Sequence, residues 1–190
     1  MVFITASEIF AILFMIFGIG FIFSGYFRRE PAEGYDPLKY YQRPSMWQDI
    51  KFAALIAAPA VVLHELSHKI VAMSFGAQAV LQAPYTMYLI VMLLKLMNFP
   101  LLFFVGGYVS DTPLPALASS LVAIAGPLTN FLIWFLIWIS IRYSFAPKKY
   151  YNILEPMAKI NLFLGVFNMI PIPGFDGYHF FASLIRAFTG

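Results

Sequence analysis

Long apolar stretches are the feature that most restricts what this chain can fold into. A hydrocarbon core about 30 Å thick is crossed by a helix of roughly 20 apolar residues. Four stretches reach or approach that length, at 4–27, 52–75, 116–141 and 157–170, and a shorter one covers 175–188. Charged residues make up 11% of the chain, whereas soluble domains have roughly 25%. The sequence therefore predicts an all-α polytopic protein, integral to a bilayer (the cell membrane), with about five to six transmembrane helices.

The apolar stretches also divide the chain. We expect one transmembrane core over 1–190, consisting of an anchor helix at 4–27, a polar loop at 28–51 and a catalytic core at 52–190. The first stretch lacks a basic leading segment and carries Glu8, so it is predicted to be a retained anchor and not a signal peptide. Twelve Lys+Arg against nine Asp+Glu is too small an excess to indicate a nucleic-acid partner. The absence of cysteine excludes thiolate metal ligands.

The apolar segment 85–104 is ambiguous, because Lys95, Asn98 and Pro100 interrupt it. A charge at the centre of a bilayer costs about 2.5–3.5 kcal/mol on insertion scales, and proline breaks the helical hydrogen-bond ladder. A full span and a re-entrant pair of short pieces are both compatible with this pattern. We favour re-entry, with a membrane-associated re-entrant or β segment near residues 77–112.

The sequence His64-Glu65-Leu66-Ser67-His68 lies inside the apolar stretch 52–75. Two histidines four residues apart share one face of a helix and can bind a single metal ion. Glu65 follows the first histidine and can reach a water on the same ion. A helix that merely buries two histidines is the alternative, but ionisable groups inside a spanning segment are rare unless they are functional.

Asp176 is the best candidate for a third ligand. A catalytic zinc site needs at least three protein ligands and an open position for water. Asp176 follows an apolar run that is broken by Pro171, Pro173 and Gly174, and irregular backbone at membrane depth is tolerated where it lines a wet cavity or packs on protein. One Zn²⁺ with Asp176, Glu65 and neutral histidines sums to zero charge, which suits a low-dielectric setting.

Three motifs occur together in order: the HELSH helix, the stretch AGPLTN at 125–130 and the stretch NMIPIPGFDG at 168–177. In this combination the chain resembles the site-2 protease family of intramembrane zinc metalloproteases, in a minimal form without a PDZ or CBS domain. The resemblance covers roughly residues 59–184. It implies that His64, His68 and Asp176 bind zinc and that Glu65 is the general base.

The same resemblance implies roles for further residues. Asn168 would stabilise or orient the reacting carbonyl, and Asn130 would steady the site from the neighbouring core helix. Residues 104–109 would form a membrane-associated strand that binds an extended substrate. The predicted substrate-binding residues are Gly106, Gly107 and Tyr108, together with Asn130. His179 follows the Asp-Gly pair and is expected to act structurally or behind the ligands.

The predicted function is that of a zinc-dependent intramembrane endopeptidase. Its partner would be a transmembrane protein substrate whose helix must unwind before a peptide carbonyl can be attacked. Two alternatives stay open. A membrane metal-ion transporter would explain the ligands but gives Glu65 no role, and a non-catalytic relative that only binds transmembrane helices is disfavoured by the intact Glu65.

Overall fold

In the computed structural model the described residues are 3–27, 45–99 and 106–189. This part of the chain forms six α-helices and two short strands. They are α1 (Ala6–Phe23), α2 (Met46–Ser74), β1 (Ala79–Gln82), α3 (Tyr85–Leu96), β2 (Tyr108–Asp111), α4 (Ala116–Arg142), α5 (Tyr151–Asn168) and α6 (Asp176–Thr189), with a 3-10 turn at Lys148–Tyr150 before α5.

Three of the described helices, α1, α2 and α4, are long and apolar enough to cross a membrane. The all-α polytopic prediction is confirmed, but the expected five to six spans are too many for the described residues. Helices α3 and α6 have 12 and 14 residues, too few for a bilayer core of about 30 Å at 1.5 Å per residue. Helix α5 has 18 residues, but Glu155, Lys159 and three asparagines make it too polar to qualify.

Helix α4 is the centre of the arrangement. It packs against α2, α5 and α6, while α1 packs on the other side of α2. Helices α1 and α2 are antiparallel, because Glu8 near the start of α1 meets Lys69 near the end of α2, and Gly20 lies against Ile50 at the opposite end. A Cβ on Gly20 would approach the Ile50 carbonyl oxygen to 2.7 Å, so glycine permits this close helix contact.

Helix α2 begins earlier than predicted. Residues 46–51 belong to the helix and not to the polar loop, whereas 28–44 of that loop lie outside the described residues. The helix ends where Gly76 adopts a φ of 84°. The Gly76 N–H donates to the Met73 carbonyl and the Ala77 N–H to the Ala72 carbonyl, which is the Schellman arrangement that closes helix C-termini.

The segment between the strands begins and ends at the same place in the fold. Strands β1 and β2 pair antiparallel, with Gln82 opposite Tyr108, so the chain returns to the point from which it left. Between them α3 runs alongside α1, its Tyr88 ring 5.7 Å from the Phe14 ring. Lys95 donates to the carbonyls of Ile22 and Ser24, each at 2.7 Å, so its ammonium group caps the end of α1.

The strand that the family resemblance implied at 104–109 is displaced in the structure. Strand β2 covers Tyr108–Asp111, while Phe104 and Val105 lie outside the described residues. Its partner β1 lies inside the re-entrant or β segment predicted near residues 77–112, but this particular strand was not predicted. Four-residue strands carry too little alternation of apolar and polar residues to be recognised beside long apolar helices.

Candidate metal centre and active site

The two histidines of α2 and the aspartate that begins α6 converge on one point. His64 Nε2 lies 3.0 Å from His68 Nε2. Asp176 Oδ2 lies 2.9 Å from His64 Nε2 and 3.3 Å from His68 Nε2. Both histidines are buried. Among the described residues these three form a group that could hold a metal ion, called here the metal-binding group. The predicted ligands are thus brought together from two helices more than 100 residues apart in the chain.

The outer nitrogens of both rings are occupied by acceptors. His64 Nδ1 lies 2.6 Å from Asn130 Oδ1, and His68 Nδ1 lies 2.7 Å from the Val122 carbonyl oxygen. The Asn130 amide nitrogen donates to the Ala60 carbonyl and to Asn161, which leaves its oxygen to accept from His64. Each neutral ring therefore carries its hydrogen on Nδ1 and directs the lone pair of Nε2 toward Asp176.

Two imidazole lone pairs and a carboxylate oxygen face one another with no hydrogen between them, and such a group can bind a cation. Asp176 Oδ2 is buried and receives no hydrogen bond from the described residues. A tetrahedral zinc with bonds of about 2.0–2.2 Å separates its ligand atoms by roughly 3.3–3.5 Å. The residues present fit zinc in donor type, and their ligand atoms, 2.9 to 3.3 Å apart, lie slightly closer together than around a bound ion.

Gly126 of α4 makes room for this site. A Cβ there would lie against His68 Nε2 and 2.5 Å from His64 Nε2, in the space that a metal ion would share. Any larger residue would place a methyl group among the ligand atoms. The glycine therefore lets α4 approach the two histidines closely while it leaves their lone pairs open.

Glu65 is buried beside the ligands. Its Oε1 accepts a hydrogen bond of 3.1 Å from the Gly107 N–H, just before β2. A Cβ on Gly107 would come within 2.9 Å of Met15 Sδ and 3.0 Å of Glu65 Cγ, so only glycine allows the backbone to reach this carboxylate. A backbone N–H, and not another charged group, therefore orients the Glu65 carboxylate.

A cavity of about 870 Å³ opens at the metal-binding group. Gly106, Gly107 and Tyr108 line it on one side, and Asn168 at the end of α5 lines it on another. His179, one turn into α6, also faces it. Asn130 does not line the cavity, because it is fully buried and stands behind His64. The structure therefore places Asn130 as a support for a ligand and not as a substrate contact.

Sequence reasoning missed two features. The first is the close approach of Gly126 to the two histidines. Gly126 lies in the AGPLTN motif, but no role was assigned to it. The second is the pairing of Glu8 with Lys69, both 1% exposed. A signal for the pair was present, because a charge inside an apolar stretch calls for a partner, but nothing local indicates which one.

The fold and the site define a class: a helical membrane protein with a His–His–Asp metal-binding group, an adjacent buried glutamate and a cavity that reaches both. Comparison with known proteins agrees with this class. Residues 143–190, which include Asn168 and Asp176, match the family model described as peptidase family M50. Over these residues the chain is similar to that peptidase family, in keeping with the motif-based resemblance to the site-2 protease family.

Two curated relatives come from Methanocaldococcus jannaschii. One, named "Putative zinc metalloprotease MJ0611", is 36% identical over 118 residues, which are 61% of this chain and 61% of the relative. The other, named "Zinc metalloprotease MJ0392", is 30% identical over 118 residues, which are 62% of this chain and 30% of the relative. The matched region thus spans less than two thirds of either relative. No solved structure matches the chain significantly.

Proposed function

We propose that the protein is a zinc-dependent intramembrane endopeptidase that cleaves transmembrane helical substrates, with one zinc held by His64, His68 and Asp176. The observation that carries this proposal is the convergence of two imidazole lone pairs and an unpartnered carboxylate oxygen beside the buried Glu65. A metal carrier needs only the first three groups. The Glu65 carboxylate accepts from the Gly107 N–H and is not one of the ligands. It is therefore free to act as a general base, which supports hydrolysis.

The chemistry divides between the ion and the chain. Zinc bound by these residues supplies Lewis acidity and lowers the pKa of water toward about 7. Glu65 takes the proton of the attacking water and passes it to the leaving amine. Asn168, on the cavity wall, donates from its side-chain amide to the oxygen of the reacting carbonyl, where negative charge develops.

The substrate enters this scheme as an extended strand. A helical substrate keeps its carbonyls in hydrogen bonds, so its backbone has to unwind before attack. Gly106, Gly107 and Tyr108 line the cavity next to Glu65, and backbone beside a strand can hold an extended peptide by adding it to the sheet. Burial of the ligands and Glu65 keeps bulk water from competing with the bound peptide.

The test is Glu65→Gln, which preserves shape and removes the base. Purified protein is analysed for zinc and is assayed on a panel of fluorescent single-span peptides in liposomes. We expect zinc to stay at about one per chain while cleavage falls by about 10²–10⁴-fold, the range for general acid–base groups. Wild-type protein treated with a chelator and then with zinc is the control. Unchanged cleavage by the variant contradicts the role of Glu65, and a wild type that binds zinc but cleaves no peptide favours a metal carrier.

A further inference from the structure

Glu8 and Lys69 form a buried ion pair that the proposed chemistry does not use. Both side chains are 1% exposed, and Lys69 Nζ donates directly to Glu8 Oε1. Glu8 Oε2 also accepts from the Thr5 N–H at 2.8 Å and from the Thr5 hydroxyl at 2.9 Å. A charge pair of this kind inside a membrane protein is rare and indicates a function for its position.

The Glu8–Lys69 pair also contacts the β1–β2 sheet. Glu8 Oε1 accepts a hydrogen bond of 2.8 Å from the Leu81 N–H of β1, so the carboxylate holds the middle of that strand. Strand β1 pairs with β2, and immediately before β2 the Gly107 N–H donates to Glu65. The sheet is therefore attached at two points, to Glu8 through β1 and to Glu65 beside β2.

Both attachments return to the same face of α2. Glu65 and Lys69 are four residues apart, which places them one above the other on a helix. Glu65 takes the Gly107 N–H directly, whereas Lys69 acts through Glu8 on Leu81. Apolar packing of Leu81 and Val109 also holds the sheet. The bond to Glu8 adds a polar fixed point on β1 to the one beside β2.

We propose that Glu8, held in place by Lys69, is a positioning residue that fixes the β1–β2 sheet and thereby the Gly107 N–H against the Glu65 carboxylate. The expected effect of Glu8 on catalysis rests on the proposed peptidase function, whereas its structural role in fixing the sheet does not. The metal ligands come from α2 and α6 and do not depend on the sheet. Loss of this attachment should therefore impair turnover and leave the metal in place.

Two double variants isolate the hydrogen bond to Leu81. Glu8→Gln/Lys69→Met and Glu8→Met/Lys69→Met both remove both charges, so neither leaves a buried ion without its partner. The glutamine variant keeps an oxygen that can accept from the Leu81 N–H, and the methionine variant does not. The two differ in this acceptor at similar side-chain volume, and each is the control for the other.

Three measurements follow on detergent-purified protein: zinc content, amide hydrogen exchange and peptide cleavage. We expect zinc at the wild-type level in both variants. The methionine variant should lose protection at the β1 and β2 amides by at least about tenfold while α4 keeps its protection, whereas the glutamine variant stays close to wild type. We expect kcat of the methionine variant to fall by about 10–100-fold, the effect of a displaced catalytic geometry, and the glutamine variant to recover most of it.

Equal exchange and equal kcat in the two variants would overturn the proposal, and so would a loss of zinc that tracks the loss of Leu81 protection. Exchange in the wild type provides a test that needs no variant, because the amides of Leu81 and Gly107 should open together. Rates that differ by more than about a hundredfold would show that the two attachments are independent. If the wild type cleaves no peptide, the proposed function fails, and the exchange and zinc data still decide the role of Glu8.

Discussion

Two buried polar clusters use neighbouring positions of α2, since Lys69 directly follows His68, and they are built in opposite ways. In the first, Glu8 receives hydrogen bonds from Lys69, Leu81 and Thr5, so the negative charge is matched by donors. In the second, two imidazole lone pairs and Asp176 Oδ2 face one another, and the carboxylate oxygen has no donor among the described residues.

The difference separates a cluster that is complete from one that needs an ion. Buried polar groups in native proteins are satisfied almost without exception. A set of acceptors that share no hydrogen therefore marks a place where a cation belongs, whereas a saturated pair marks a place where elements are joined. Changes in the histidine–aspartate cluster should alter metal binding, and changes in the Glu8–Lys69 cluster should alter stability or position.

The largest expected effect is on Asp176. Asp176→Ala removes one of three ligands and should reduce zinc in purified protein from about one per chain to a small fraction, since a catalytic site needs three protein ligands. Metal analysis by mass spectrometry measures this directly. His179→Ala is the matched control, because His179 faces the same cavity but is not in the metal-binding group. Full zinc occupancy in Asp176→Ala would show that the converging acceptors are not the site.

A substitution at Gly126 tests whether the metal ion occupies the space between the acceptor atoms of His64, His68 and Asp176. In Gly126→Ala the new methyl group would contact both Nε2 atoms. We expect zinc affinity, measured by chelator competition, to fall by about 100-fold, the upper end of the range for changes beside metal ligands. Gly165→Ala is the control, since its Cβ would meet only the Phe131 ring at 3.0–3.1 Å. Unaltered affinity in Gly126→Ala would mean that the ion lies elsewhere.

Asn130 tests the assignment of lone pairs. Asn130→Ala removes the acceptor that keeps the hydrogen of His64 on Nδ1. The tautomer and ring orientation then become free, and zinc affinity should fall by about tenfold, as for other groups that orient a ligand. Asn161→Ala, which removes only a partner of Asn130, should have a smaller effect. Equal affinities in the wild type and Asn130→Ala would refute the proposed role of this asparagine.

The smallest effect is expected at Lys95, which lies outside both clusters. Lys95→Met removes the ammonium group that caps the carbonyls at the end of α1 and should lower stability by about 1–2 kcal/mol, as for cations at helix C-termini in partly buried positions. Zinc content should not change. Thermal unfolding in detergent measures the stability, and exposed Lys159→Met is the control. A loss of zinc in Lys95→Met would contradict the separation of the two clusters.

The ligands were predictable because their signals are local. The pair His64 and His68 shares a helix face through its spacing alone, and Asp176 stands out because prolines and a glycine interrupt an apolar run before it. The number of spans was not predictable in the same way. Helix α5 looked like a span from its apolar half. Its Asn161 instead accepts from Asn130 inside the protein, and its charged residues Glu155 and Lys159 are exposed.

The sequence by itself determined the helical membrane class, the metal-ligand types and the position of the break before Asp176, because each depends on spacing within one stretch. Only the tertiary structure decided the partners of Glu8, Lys69 and Lys95, the pairing of β1 with β2 and the orientation of His64. These contacts join residues 61 to 74 positions apart for the charged groups and 66 apart for His64 and Asn130. No local pattern specifies such a pair, because it depends on which helix faces the packing brings together.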